Sequence, residues 1–199
     1  EDVLFDNNIN KKNISCFGKL SNWSRFFISQ LFPNLTTGLY LDVDILFNNN
    51  IEDIFNIDIS NHIIGVIPYN NYSTKNEKNS KLIISYINKH LTKIQETDLL
   101  LKLDINLDNL ETNIYNCGVM YFNFDLFNEN KILDKVITLL NFNVNNRRII
   151  YGGTEKVQNV IIHNYKSLPG IYNVLINKKY CNMNLKKDVI LHFKGTTNI

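Results

Sequence analysis

Short apolar runs alternate with amphipathic segments along most of this 199-residue chain. Apolar runs bounded by turn-forming residues are typical of buried strands, and apolar positions three or four apart are typical of helices that cover a core. The pattern predicts strands at 38–41, 62–67, 117–122 and 188–193, and helices at 20–32, 51–55, 80–94, 125–140 and 152–164. This alternation predicts one α/β domain over residues 1–199, with a mixed, mostly parallel sheet flanked by helices.

The composition is unusual but still that of a folded protein. The chain contains no alanine and Asn fills about a sixth of it, yet 44% hydrophobic and 12% aromatic residues exclude a disordered polar tract. A net charge of +2 gives no field that indicates nucleic-acid binding. Three distant cysteines, Cys16, Cys117 and Cys181, do not form a disulfide or zinc pattern. No signal or membrane segment is evident, which weakly favours the cytoplasm.

Two carboxylates directly follow the predicted strand at 38–41. In extended chain Asp42 and Asp44, two positions apart, point to the same side and can share a divalent cation. Ligands of open α/β sheets bind beyond the carboxyl ends of strands, where this pair lies. The alternative is two solvated acids in a turn, and the tripeptide alone does not decide between them.

Other polar residues lie at strand and helix ends. His192 lies near the end of the last predicted strand and could be a nitrogen ligand of Mn²⁺, and Lys194 and Gly195 after it could contact phosphates. Asn116 opens the strand that contains Gly118, and its amide suits sugar hydroxyls. A further candidate is an acid, Glu155, after a Gly-Gly-Thr turn. Each has an ordinary structural alternative: a core histidine, a turn, or an acid favoured at a helix start.

Taken together and in order, these segments resemble glycosyltransferase family 8, retaining enzymes of the GT-A fold that use nucleotide-sugar donors. The resemblance runs from about residue 20 to the C-terminus. It rests on Arg25 in a helix, on the run Tyr40–Asp44 with 52–55 after it, on Asn116 and Gly118 in YNCGVMYFNFDLF, and on His192 in HFKG. Three motifs in the right order are more specific than any one of them.

The resemblance implies a concrete site. Asp42, Asp44 and His192 would hold Mn²⁺ or Mg²⁺ at the donor's diphosphate. Catalysis would involve Asp42, Asp44 and Glu155. The donor would be a UDP-sugar, and a hexose, glucose or galactose, would pass with retained configuration to a hydroxyl of a glycan, protein or lipid, by front-face substitution or double displacement. The residues implied in donor binding are Arg25, Tyr40, Asn116, Gly118, Lys194 and Gly195.

The chain also departs from the family pattern. Thr154, Glu155 and Lys156 stand where the family often has Asp-Gln-Asp, and Asn198 stands where it has Lys. Most of the N-terminal strand–helix unit that binds the nucleoside is missing, so we expect a fragment or a reduced member. Two alternatives stay open: a GT-A-like domain that binds sugar or protein without turnover, and a haloacid-dehalogenase-type phosphatase, whose motif also places Asp-x-Asp after a strand.

Overall fold

A computed structural model of the chain describes residues 20–48, 50–69, 91–107, 113–145, 153–176 and 190–193. Within these ranges, seven strands lie in two sheets. Their bounds are β1 Thr37–Leu41, β2 Ile45–Phe47, β3 Ile64–Pro68, β4 Tyr115–Asn123, β5 Tyr165–Ser167, β6 Val174–Leu175 and β7 Ile190–His192. The first sheet has the order β1-β4-β3-β5 and the second the order β2-β7-β6.

The sheets are mixed, as predicted, but the expectation of a mostly parallel arrangement is wrong for the described strands. Both β1 and β3 pair antiparallel with the long central β4, and β2 pairs antiparallel with β7. The parallel pairs are β3 with β5 and β6 with β7. All nine residues of β4 are buried. A strand covered on both faces reads as a continuous apolar run whatever its direction, so the sequence pattern did not show the direction of β4.

The helices partly follow the predictions. A 3₁₀ segment, Leu20–Phe27, continues into α1, Ile28–Leu31, and a second 3₁₀ segment spans Glu52–Asn56. The other helices are α2 Lys93–Leu103, α3 Phe124–Glu129, α4 Ile132–Asn145 and α5 Gly153–Ile161. The predicted helix 125–140 is divided at Lys131, whose φ of 52° leaves the helical region. The sequence pattern did not predict α2, β2, β5 or β6, and most of the predicted helix 80–94 lies outside the described residues. Within the described part of the chain, no helix is long and apolar enough to cross a membrane.

The register of the β3–β4 ladder shifts beside the candidate site residues. Between Gly65 and Ile67 of β3 the partner on β4 moves from Tyr121 to Asn116, so the ladder register shifts there. Bulges of this kind re-aim side chains and are frequent beside active sites. The shifted segment carries Asn116 and Gly118, and it runs past the end of β1, where Asp42 follows.

Candidate functional site

Backbone hydrogen bonds bring the two acids and the histidine to the same edge. The N–H of Asp42 donates to the carbonyl of Gly118 (2.8 Å), which continues the β1–β4 ladder by one residue. The chain then turns into β2, whose Ile45 pairs with His192 of β7. The N–H of Phe193 donates to the carbonyl of Asp44 (3.0 Å). The pairing of β2 with β7 therefore sets His192 beside the two acids that precede β2.

The three side chains form a compact group. Nε2 of His192 lies 3.3 Å from Oδ1 of Asp44 and 3.8 Å from Oδ2 of Asp42. One ligand atom from each residue can be chosen so that all three lie within 4.8 Å of one another. The His192 side chain is 3% exposed, whereas those of Asp42 and Asp44 are 29% and 42% exposed. The imidazole of the group is therefore buried, and its two carboxylates are accessible to solvent.

This set of atoms fits a divalent cation. Nδ1 of His192 lies 3.0 Å from Oδ1 of Asn173, an oxygen that only accepts hydrogen bonds, so Nδ1 carries a proton in this contact. Nε2 faces the two carboxylates, and a cation bound there would take the place of a proton on this nitrogen. One imidazole nitrogen and two carboxylate oxygens are ligands that Mn²⁺ accepts, and the mutual repulsion of the two acids is relieved by a cation.

Arg25 and Tyr40 hold the first carboxylate. The Arg25 guanidinium, 5% exposed, donates to the carbonyl of Cys117 (3.0 Å), to the Tyr40 hydroxyl (2.9 Å) and to Oδ1 of Asp42 (3.2 Å). The Tyr40 hydroxyl donates to the same Oδ1 (2.8 Å). Burial raises the pKa of Tyr40 well above its usual value, so its proton stays available for this bond. Both residues therefore engage Oδ1 and leave Oδ2 of Asp42 toward His192.

A second polar group lies at the start of β4. Nδ2 of Asn116 donates to Oε2 of Glu155 (3.0 Å), on the first turn of α5. The Tyr69 hydroxyl donates to Oε1 of the same carboxylate (2.9 Å), and the N–H of Cys117 lies 3.4 Å from Oε2. The structure thus brings the predicted residues Asn116 and Glu155 into direct contact, with Tyr69 as a partner whose contact with Glu155 was not predicted.

The buried amide of Asn159 helps to fix helix α5 to β4. Asn159, 2% exposed, accepts from the N–H of Tyr115 (2.8 Å) and donates to the carbonyl of the same residue (2.9 Å). Its Nδ2 also donates to the carbonyl of Glu155 (2.9 Å). This pattern completes the backbone hydrogen bonds of Tyr115 and sets the helix start beside Asn116.

Asn173 was missed by sequence reasoning and joins the two groups. It is fully buried, and its Nδ2 donates to Oδ1 of Asn116 (2.8 Å) while its Oδ1 faces His192. No sequence signal separated it from the many other asparagines. Lys194 and Gly195, predicted to contact phosphates, lie outside the described residues, as does Asn198.

Comparison with known proteins identifies the family. The sequence matches the family "Glycosyl transferase family 8" over residues 2–198. A curated Haemophilus influenzae protein named "Putative glycosyltransferase" is 29% identical over 123 residues, which are 61% of this chain and 30% of that protein. The chain therefore spans less than a third of this relative's length.

Solved glycosyltransferases share the fold at low identity. An active-site mutant of LgtC superposes with a TM-score of 0.59 at 10% identity, over 94% of this chain and 65% of that one. GlyE of Streptococcus pneumoniae gives 0.56 at 18% identity over 85% and 36%. Mouse xyloside xylosyltransferase 1 gives 0.51 at 12% identity over 94% and 71%. The architecture is that of the GT-A glycosyltransferases, as the family resemblance implied.

Proposed function

The chain belongs to glycosyltransferase family 8, and from this premise we propose that it is a metal-dependent retaining glycosyltransferase. It would move a hexose, glucose or galactose, from a UDP-sugar to a hydroxyl of a glycan, protein or lipid acceptor. One observation carries the proposal: the grouping of Asp42, Asp44 and His192 at the strand ends of a GT-A fold. A haloacid-dehalogenase-type phosphatase is set aside, since the family match is to glycosyltransferases.

Asp42, Asp44 and His192 would hold the metal, with Mn²⁺ favoured over Mg²⁺ because one ligand is an imidazole. When bound, such a cation supplies positive charge that stabilises a leaving nucleoside diphosphate. The protein's own contribution is to fix the ligands in advance. Arg25 and Tyr40 hold Oδ1 of Asp42, so the carboxylate need not reorient when the donor binds.

The group of Asn116 and Glu155 is the candidate sugar side of the site. An amide and a carboxylate that already contact each other offer both donor and acceptor atoms to sugar hydroxyls. Since Tyr69 and Asn116 each donate to one oxygen of Glu155, the carboxylate is held in one orientation. In this proposal Glu155 orients the sugar at the reaction centre, and Lys194 and Gly195 contact the phosphates.

The direct test is a screen of UDP-sugars for Mn²⁺-dependent release of UDP by the longest natural form of the protein. We expect release from UDP-glucose or UDP-galactose, and its loss on chelation. Asp44→Asn should lower Mn²⁺ affinity and the rate by about tenfold or more, because an anionic ligand becomes a neutral amide. Asp98→Asn on the exposed face of α2 removes the same charge elsewhere and should change neither.

One observation supports the alternative, a domain that binds without turnover. Thr154 is 4% exposed and offers no carboxylate at the start of α5, where the family often has an acid. Binding of UDP with Mn²⁺, without cleavage of any UDP-sugar tested, would favour this alternative. Unchanged Mn²⁺-dependent UDP binding in Asp44→Asn and His192→Ala would show that the assigned metal ligands are wrong.

A further inference from the structure

Two buried amides form a chain between His192 and Glu155, behind the candidate metal site. Asn173 is 0% exposed and Asn116 2%. From His192 the chain runs through Oδ1 and Nδ2 of Asn173 to Oδ1 of Asn116, with contacts of 3.0 and 2.8 Å. It ends where Nδ2 of Asn116 donates to Oε2 of Glu155 (3.0 Å). Both amides in this chain therefore have a polar partner on each side.

The direction of both amides follows from one backbone group. The N–H of Gly118 can only donate, and it lies 2.9 Å from the side chain of Asn116, so the atom it meets must be the amide oxygen. The NH₂ of Asn116 then faces Glu155, a carboxylate that accepts. Since Oδ1 of Asn116 also faces Asn173, the Asn173 atom there must be its NH₂ group. The oxygen of Asn173 is left to face His192.

The orientation of the Asn173 amide determines which nitrogen of His192 carries a proton. An amide oxygen 3.0 Å from Nδ1 requires a proton on Nδ1, so Nε2 is the ring nitrogen that can offer a lone pair to a cation. Nε2 is the nitrogen that lies 3.3 Å from Asp44. A rotation of the Asn173 amide would place two oxygens against each other at Asn116, so the native orientation is strongly favoured.

We propose that Asn173 is a positioning residue: it holds His192 in its Nδ1–H tautomer, so that Nε2 presents a lone pair to the cation, and it connects this ligand to Asn116 on the sugar side. The cation itself rests on the proposed function, but the tautomer does not. Metal-binding histidines are commonly oriented by a hydrogen bond to the second ring nitrogen, and loss of that partner lowers metal affinity about 10- to 100-fold. In this protein the side-chain amide of Asn173 makes that hydrogen bond.

The test is ¹⁵N NMR of the histidine rings in the metal-free full chain, which shows which ring nitrogens carry a proton. His192→Gln identifies the His192 signal. We expect a proton on Nδ1 in the wild type. Asn173→Leu should populate the Nε2–H tautomer and lower Mn²⁺ affinity at least tenfold. Asn123→Leu, a buried asparagine at the start of α3, is the matched control and should keep the wild-type tautomer.

Two results would overturn the proposal: an Nδ1 without a proton in the wild type, or wild-type protonation of His192 and wild-type Mn²⁺ affinity in Asn173→Leu. The first remains decisive if Asn173→Leu does not fold. If the tautomers behave as expected but the wild type binds no Mn²⁺, the proposed metal dependence fails while the positioning role of Asn173 stands. The two proposals therefore fail in distinguishable ways.

Discussion

Gly118 and His192 are in such close contact that residue 118 has no room for a side chain. A Cβ built at Gly118 would overlap Cε1 of His192 and would lie 2.6 Å from its Nδ1 and 2.9 Å from Oδ1 of Asn116. A methyl group here must displace the imidazole or the Asn116 amide. The absence of a Cβ therefore lets the histidine ring lie close against β4, with Nε2 toward the acids.

Gly118→Ala should therefore lower Mn²⁺ affinity at least tenfold and cost about 1–3 kcal/mol of unfolding free energy through overpacking. The matched control is Gly65→Ala on β3, whose added Cβ would lie 3.0 Å from Leu168, away from the acids. It should cost stability but leave Mn²⁺ affinity unchanged. Mn²⁺ titration and urea unfolding measure both effects. Equal Mn²⁺ affinity in the two variants would contradict the close-contact argument.

Tyr40→Phe tests how Asp42 is held. The hydroxyl donates to Oδ1 of Asp42 (2.8 Å), so its removal should cost about 1 kcal/mol of stability and lower Mn²⁺ affinity several-fold as the carboxylate gains freedom. Tyr165→Phe removes a comparable hydroxyl that donates to the carbonyl of Asn113 (2.9 Å). It should have a similar effect on urea unfolding and none on Mn²⁺ titration. A loss of Mn²⁺ affinity in both variants would mean that it follows from general destabilisation of the sheet and not from the release of Asp42.

The sequence predicted the residues of the site better than the strand pairing that brings them together. The strand ends at Asp42 and His192 were predicted, because apolar runs followed by a polar residue are local signals. What brings them together is the pairing of β2 with β7, and β2 is a three-residue strand with two exposed positions, Leu46 and Phe47. Such a short, exposed strand leaves no clear apolar pattern. The prediction that the two acids group with His192 came from the family resemblance, not from the hydrophobic periodicity.

Buried polar residues were the hardest to predict. Asn173 contacts residues 19 and 57 positions away, so its partners depend on tertiary structure. Asn also fills about a sixth of the chain, so its presence at one position carries little information. Tyr69 likewise meets Glu155 across 86 positions. The chemistry of these residues becomes visible only when the partners on β4 and α5 are in place.

Asn159→Leu should be strongly destabilising. The side chain completes both backbone hydrogen bonds of Tyr115, and an apolar replacement leaves these two buried groups unpaired. We expect a loss of about 2–5 kcal/mol in urea unfolding. Asn164→Leu, whose exposed amide donates to the carbonyl of Asn61, should change stability by less than about 1 kcal/mol. Similar losses in both variants would show that Asn159 does not brace β4.

The last prediction concerns acid. Burial lowers the pKa of His163 to about 4, so the folded protein keeps this ring neutral while the unfolded chain protonates it near its ordinary value of 6.5. The unfolded state then binds more protons between these values, so His163 contributes stability that is fully present above about pH 6.5 and is lost as pH falls toward 4. The loss should be on the order of 2–3 kcal/mol.

His163→Gln should remove this part of the pH dependence, because glutamine does not titrate. Urea unfolding at several pH values between 4 and 8 gives the measurement, and the difference between wild type and variant isolates the contribution of residue 163. His62→Gln, just before β3, makes the same change at another half-buried histidine. If His163→Gln and wild type lose stability in parallel down to pH 4, the ring is not kept neutral by the fold. A flattened profile in His163→Gln, with His62→Gln following the wild type, would locate the acid sensitivity at the end of α5.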